Sequence, residues 1–195
     1  MTANSIGSDE DRLEYLKMLM IWSADIQMAL SATTFLGEVD QEQKYSKAEL
    51  RRFRCYETAF IVAYSRPFTR ANETKFARLV LSDVGLVLTD RESEMHQKIR
   101  QLRDKVFAHS DTDFAHVRLD SYEIDLDEES VIFPRLQSDE GLVFSQLKDR
   151  LDAVELCSKV FHAVYKKLMH LDRERKERSP IYIRPGRQDR STDDS

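Results

Sequence analysis

Arg103 and His109 are of types that could cleave RNA, and Asp104 and Ser110 each follow one of them directly. An arginine presents a planar, permanently charged fork that stabilises the extra negative charge of a pentavalent phosphate. A histidine titrates at about pH 6.5, so it can remove a 2′-hydroxyl proton or protonate the leaving oxygen. With the neighbouring ribose hydroxyl as nucleophile, this chemistry needs no metal and no other cofactor.

The spacing of Arg103 and His109 predicts how they are used. On an ideal α-helix the two residues lie about 120° apart around the axis and about 9 Å apart along it. They therefore flank, on its two edges, the apolar stripe that includes Met95, Ile99 and Val106. One helix does not bring both side chains onto one phosphate, whereas two copies packed face to face could do so.

The residues around this pair resemble a known family. Residues 102–111 read Leu-Arg-Asp-Lys-x-x-Ala-His-Ser-Asp. This string is similar to that of the HEPN domains, whose hallmark is Arg-x4–6-His near the end of a helix. The upstream string Ala-Tyr-Ser-Arg-Pro-Phe at 63–68 is similar to the abortive-infection-like branch. Some toxin-type members carry a Tyr two residues after the His, where this chain has Asp111.

The resemblance implies a fold, an activity and a set of partners. HEPN domains are four-helix bundles that dimerise and often act as metal-independent endoribonucleases, with Arg and His of both protomers meeting in a cleft. This implies catalytic roles for Arg103 and His109, and Asp104 could orient the arginine or a histidine across the dimer. It also implies a homodimer, RNA as substrate, and an antitoxin or regulatory protein as partner of a defence or toxin component.

Other basic residues are candidates for holding RNA. Arg51, Arg52 and Arg66 could contact the RNA backbone, and Ser110 could donate a hydrogen bond to phosphate. Consecutive arginines on a helix also often form only a solvated face. Other family members have lost activity, so the alternative function is a non-catalytic helical interaction module that binds RNA or regulates a partner protein.

A metal-dependent hydrolase is a third hypothesis for the function. Glu92 and His96 lie four residues apart on one helix face. The chain has no His-Glu-x-x-His motif, no paired Glu-x-x-His and no Cys/His quartet. We therefore expect no dedicated metal site.

The elements that position these residues are expected to be long helices, because only 5 Gly and 4 Pro occur in 195 residues. We predict a mostly α, HEPN-like four-helix bundle with a small β-hairpin inserted before the last helix. The predicted helices cover about 9–36, 46–65, 90–109 and a last segment from after Gly141 to about 172. Residues 72–89 are ambiguous: Phe76, Leu79 and Val80 suggest a short helix, followed by a turn around Gly85. Leu147 and Leu151 are predicted on the apolar side of the last helix. The hairpin is expected at about 113–140, the bundle domain at 1–172, and a polar, disordered tail at 173–195.

Charge is distributed unevenly along the chain. The net charge is −5, yet residues 44–78 hold nine Lys or Arg against three Glu. Residues 119–140 hold eight Asp or Glu against one Arg. The acidic hairpin could be a partner-binding edge, a guard over the cleft, or a simple solvated insertion.

Cysteine usage and hydropathy bear on location. Cys55 and Cys157 lie in apolar helical patterns, which is typical of buried, reduced cysteines rather than a disulfide framework. The longest early apolar run, residues 18–22, is far shorter than a membrane span. We therefore expect a cytoplasmic protein that makes no membrane contact.

Overall fold

The computed structural model describes residues 8–69, 76–104, 117–126, 129–138, 141–175 and 178–183. Over these ranges the protein is mostly helical, with a small antiparallel hairpin before the last helix, as predicted. Its elements are α1 (Asp9–Leu36), α2 (Lys47–Ser65), α3 (Asp90–Leu102), β1 (Val117–Leu126), β2 (Glu129–Ser138) and α4 (Leu147–Arg173). Two short 3-10 turns, Arg66–Phe68 and Leu81–Val84, lie between α2 and α3.

Side-chain caps begin the first three helices. The hydroxyl of Ser8 accepts a hydrogen bond from the Asp11 amide at 3.0 Å. At the start of α2 the hydroxyl of Ser46 accepts from the Glu49 amide while the Glu49 carboxylate accepts from the Ser46 amide. Thr89 begins α3 with the same reciprocal arrangement. Such caps satisfy amide groups that have no partner inside the helix, so they fix where each helix begins.

The link from α2 to α3 differs from the prediction at one place. Pro67 ends α2 as expected, and the chain continues as a 3-10 turn rather than an α-helix. The described residues 76–80 are not helical, and the short helical segment of the ambiguous stretch 72–89 is the 3-10 turn at Leu81–Val84, just before the expected turn at Gly85. The Leu79 amide there donates to the carbonyl of Pro67 instead of to a residue four positions earlier. Gly85 follows with φ +71°, a left-handed conformation that glycine adopts without strain.

The core lies where α1 packs against both α2 and α4. The large side chains that are fully buried include Leu19, Ile26, Phe53, Phe60, Ile61, Tyr64, Leu156 and Val160. The shorter α3 adds Met95 and Ile99 to this core. Leu147 and Leu151 are exposed, so their predicted place on the core side of α4 is wrong. The buried face of α4 instead follows Arg150, Ala153, Leu156, Cys157, Val160 and Val164.

The segment before α4 is a strap rather than helix. Residues 141–146 are not helical, and α4 begins at Leu147, which is also the first residue that the prediction names on the last helix. Phe144 of this strap is 1% exposed and packs edge-on against Phe60. The strap therefore anchors the chain that returns from the hairpin to the core.

The last described residues contact the bundle. Ile181 is partly buried against the core, so residues 178–183 depart from the free polar tail expected from 173 onwards. The rest of that predicted tail, 184–195, lies outside the described residues. None of the helices in the described ranges has the length and apolarity that a membrane crossing requires.

Candidate functional site

Arg103 and Asp104 lie directly after α3, and they contact each other. The Nη1 atom of Arg103 donates to Oδ1 of Asp104 at 2.7 Å. The Arg103 side chain is 33% exposed and that of Asp104 is 59% exposed. A partly exposed guanidinium oriented by a carboxylate can bind a phosphate, because arginine carries five N–H donors and this hydrogen bond uses one.

The other two residues of the predicted catalytic segment, His109 and Ser110, lie outside the described residues. The predicted helix over 90–109 is α-helical from Asp90 to Leu102, and Arg103 and Asp104 lie in a π-type turn. The 120° separation predicted for Arg103 and His109 involves residues outside the described ranges and stays a prediction.

Contacts between α2 and α3 show which end of the bundle carries Arg103. His96 meets Tyr64 near the end of α2, where its Nδ1 atom and the tyrosine hydroxyl are 2.9 Å apart. Two residues further along α3, Lys98 lies over the Phe144 ring, and the Phe144 amide donates to Glu57 in the middle of α2. The two helices therefore run antiparallel, which places Arg103 at the same end of the bundle as the first half of α2.

The predicted RNA-contacting arginines are divided between the two ends of α2. Arg51 and Arg52 are exposed in its first half, toward the Arg103 end. Arg52 lies over the Phe53 ring at 5.3 Å and faces Glu38 at 4.0 Å. Arg66 follows the last residue of α2, about 21 Å along the axis from Arg52. Its guanidinium faces Asp25 at 3.4 Å, so it braces α2 against α1 rather than joining the Arg103 end.

Glu92 and His96, weighed above as metal ligands, are held by separate partners. Glu92 accepts from Lys159 at 2.6 Å and caps α3. Burial, with a smaller contribution from Arg100, lowers the pKa of His96 to about 4. Within the described ranges, no group of three or more His, Cys, Asp or Glu residues could hold a metal ion.

Two charged residues that the sequence did not single out are buried in the fold. Glu57 is fully buried and accepts from the Phe144 amide at 2.7 Å; burial raises its pKa above the usual range. Arg150 is 5% exposed and donates to the carbonyls of Phe144, Ser145 and Val39. The signal in the sequence was their position on the apolar face of each helix, at helical spacing from Phe53 and Ala153. They hold the strap and so are structural.

A cavity lies at the other end of the bundle. It has a volume of about 590 Å³ and lies between the start of α1, the end of α4 and residues 179–182. Arg12 and Glu174, which are 3.7 Å apart, lie on its wall. Within the described ranges, its wall contains none of the residues predicted to act on RNA.

Similarity to known proteins does not identify the family of this chain. No protein-family description, no curated protein and no solved structure matches the chain.

Proposed function

We propose that this protein is a metal-independent endoribonuclease of HEPN type that acts as a homodimer, as a defence or toxin component. The observation that carries the proposal is Arg103, partly exposed directly after α3 and oriented by Asp104. The resemblance of residues 102–111 and the helical architecture with its late hairpin support the same assignment.

The proposed reaction uses the RNA itself as nucleophile. The 2′-oxygen attacks the adjacent phosphorus as its proton passes to a base, and the bond from phosphorus to the 5′-oxygen breaks. His109 serves as general base or general acid, and Arg103 neutralises the charge that grows on the phosphoryl oxygens. The products are a 2′,3′-cyclic phosphate and a 5′-hydroxyl, so no metal and no other cofactor takes part.

The test is cleavage of total RNA in excess chelator, with the chemistry of the ends determined. Wild-type protein should give 2′,3′-cyclic phosphate ends, and Arg103→Ala and His109→Ala should each lower the rate at least 100-fold. The matched controls are Arg100→Ala, one turn earlier on α3, and His170→Ala on exposed α4 surface; both should retain activity. Equal cleavage by wild type and His109→Ala would disprove the proposal.

The second candidate is a non-catalytic interaction module, and the hairpin favours it. Leu119 and Ile132 are 67% and 65% exposed and lie on the same face of the hairpin, and neighbouring exposed apolar side chains are a feature of interaction surfaces. In this alternative the protein binds RNA or regulates another protein without cleaving RNA. No cleavage by wild type, together with RNA binding that Arg103→Ala abolishes, would favour it.

A further inference from the structure

The hairpin has an uncovered face and uncovered edges. In the antiparallel register Glu123 pairs with Ile132 and Ser121 with Pro134, so these side chains share one face with Leu119. We call these five residues the open face; all of them are exposed. Within the described ranges the strands pair only with each other, and neither packs along a helix. A two-stranded hairpin of this kind is only marginally stable alone in water, so a partner that covers it would stabilise it.

The opposite face of the hairpin has its own internal contacts. Tyr122 pairs directly with Phe133, and the Arg135 guanidinium donates to the Tyr122 hydroxyl at 2.5 Å. Phe133 is 47% exposed, less than Leu119 or Ile132 on the open face. Both faces therefore leave large apolar side chains exposed, and of those named here Leu119 and Ile132 on the open face are the most exposed.

Charge restricts what could cover the open face. Residues 117–138 contain six Asp or Glu and two Arg, so a complementary surface must be basic. The same chain carries one: the first half of α2 has Lys47, Arg51, Arg52 and Arg54. A shallow groove there, the α2 groove, has arginines at one end and Cys55, Thr58, Ala59 and Val62 along its floor. Its composition, basic with an apolar floor, complements the open face, which is apolar with acidic neighbours.

Geometry favours a second copy over the chain's own α2. Arg54 donates to the Gly141 carbonyl at 2.7 Å, so the strap that follows the hairpin lies beside the groove of its own chain, whereas neither strand packs along that chain's α2 within the described ranges. Ten-residue strands span about 34 Å, enough to cover the roughly 17 Å from Arg51 to Val62. A two-fold axis beside the groove would lay each hairpin on the other copy's α2, and the same contact would form twice.

We propose that two copies of this chain exchange hairpins, the open face of each docking in the α2 groove of the other. This inference does not depend on the proposed ribonuclease activity, and it assigns the Arg51 surface to protein rather than to RNA. Burial of Leu119 and Ile132 supplies apolar contact, and Glu123 approaches the arginines at the end of the groove.

A cysteine pair tests the contact directly in the full-length chain. Cys55 is exposed in the groove and Cys157 is buried, so Ile132→Cys introduces one new accessible thiol. Mild oxidation should link Ile132→Cys into a covalent dimer, and adding Cys55→Ser should abolish the link. Val87→Cys, at a position 84% exposed outside the hairpin, should not form it. An internal disulfide within a monomer, or a dimer that survives Cys55→Ser, would overturn the proposal.

Sedimentation supplies a second readout that needs no cysteine. Wild type should be a dimer, Ile132→Asp should weaken dimerisation at least tenfold, and Val87→Asp should not. Arg51→Glu should weaken it similarly, and combining Arg51→Glu with Glu123→Arg should restore it. Circular dichroism confirms that each variant keeps its helices. A monomeric wild type, or loss of RNA binding without loss of the dimer in Arg51→Glu, would overturn the proposal.

Discussion

The same residue type is buried in the helical bundle and exposed in the hairpin. Phe60 on α2 is fully buried between aromatic neighbours, whereas Phe133 on β2 is nearly half exposed. In the bundle, apolar faces of α1, α2 and α4 cover one another. In the hairpin, each strand has only the other strand, and large apolar side chains remain exposed on both faces.

This difference shows that the bundle buries its apolar side chains within one chain, whereas the hairpin does not. The bundle buries its large apolar side chains within the chain, so these residues are explained by packing. The hairpin buries little, so packing within the chain does not explain why it keeps Leu119 and Ile132. Contiguous exposed apolar side chains are a feature of interaction surfaces. Function is therefore to be sought at the hairpin as well as at Arg103.

The largest expected effect separates the two regions by one substitution. Phe60→Ala should lower the free energy of unfolding by about 3–5 kcal/mol, because it leaves a cavity in the core. Phe133→Ala should lower it by about 1 kcal/mol or less, because its side chain is already half solvated. Urea unfolding followed by circular dichroism at 222 nm measures both. Equal losses would show that the hairpin is part of the core.

Arg150 tests how the strap attaches the hairpin to the bundle. Arg150→Met should destabilise the protein by about 3 kcal/mol, since three carbonyl groups lose their donor where little water can replace it. Lys148→Met, on the exposed side of the same helical turn, should change stability by less than about 0.5 kcal/mol. The same urea titration compares them. A stable Arg150→Met would mean that the strap is held by Phe144 alone.

Much of the bundle could be predicted because local signals coincide with tertiary packing. The predicted bounds of α1, 9–36, are confirmed because Ser8 caps the helix and the apolar spacing matches the buried face. The prediction left the start of the last helix open between Gly141 and Leu147, and the structure assigns Val143 and Phe144 to the strap. Cys55 was expected to be buried, yet it is exposed because it lies on the side of α2 away from α1 and α4.

The candidate site was less predictable for physical reasons. The types of Arg103 and Asp104 follow from sequence and their hydrogen bond follows from adjacency, whereas the end of α3 at Leu102 was not predicted. The division of Arg66 from Arg51 and Arg52 depends on the antiparallel packing of α2 and α3, which no spacing along one helix reveals. Glu57 and Arg150 were missed because charged residues are rarely buried, and only long-range contacts satisfy them.

A smaller effect concerns pH and belongs to the bundle. The pKa of His96 is lowered to about 4 in the folded protein, against about 6.5 in the unfolded chain. The contribution of the neutral His96 ring to the free energy of unfolding is fully present above about pH 6.5. It is lost as the pH falls from about 6.5 through about 4. Wild type should lose about 1–2 kcal/mol more than His96→Gln between pH 7 and 4, after allowance for partial solvent exposure. An NMR titration of the His96 ring with a midpoint near pH 6.5 would contradict this.

The smallest expected effect separates stability of α3 from the chemistry at its other end. Thr89→Ala removes the hydroxyl that accepts from the Glu92 amide, at a rather long 3.4 Å, so we expect a loss of about 0.5–1 kcal/mol. Thr89→Ser keeps the cap and should restore stability in thermal unfolding. Thr89 lies about 20 Å along the axis from Arg103, so RNA cleavage at temperatures where both variants are folded should be unchanged. A fall in cleavage with Thr89→Ala that Thr89→Ser reverses would contradict this. It would mean that the cap at the start of α3 controls the position of Arg103, with α3 moving as a rigid body.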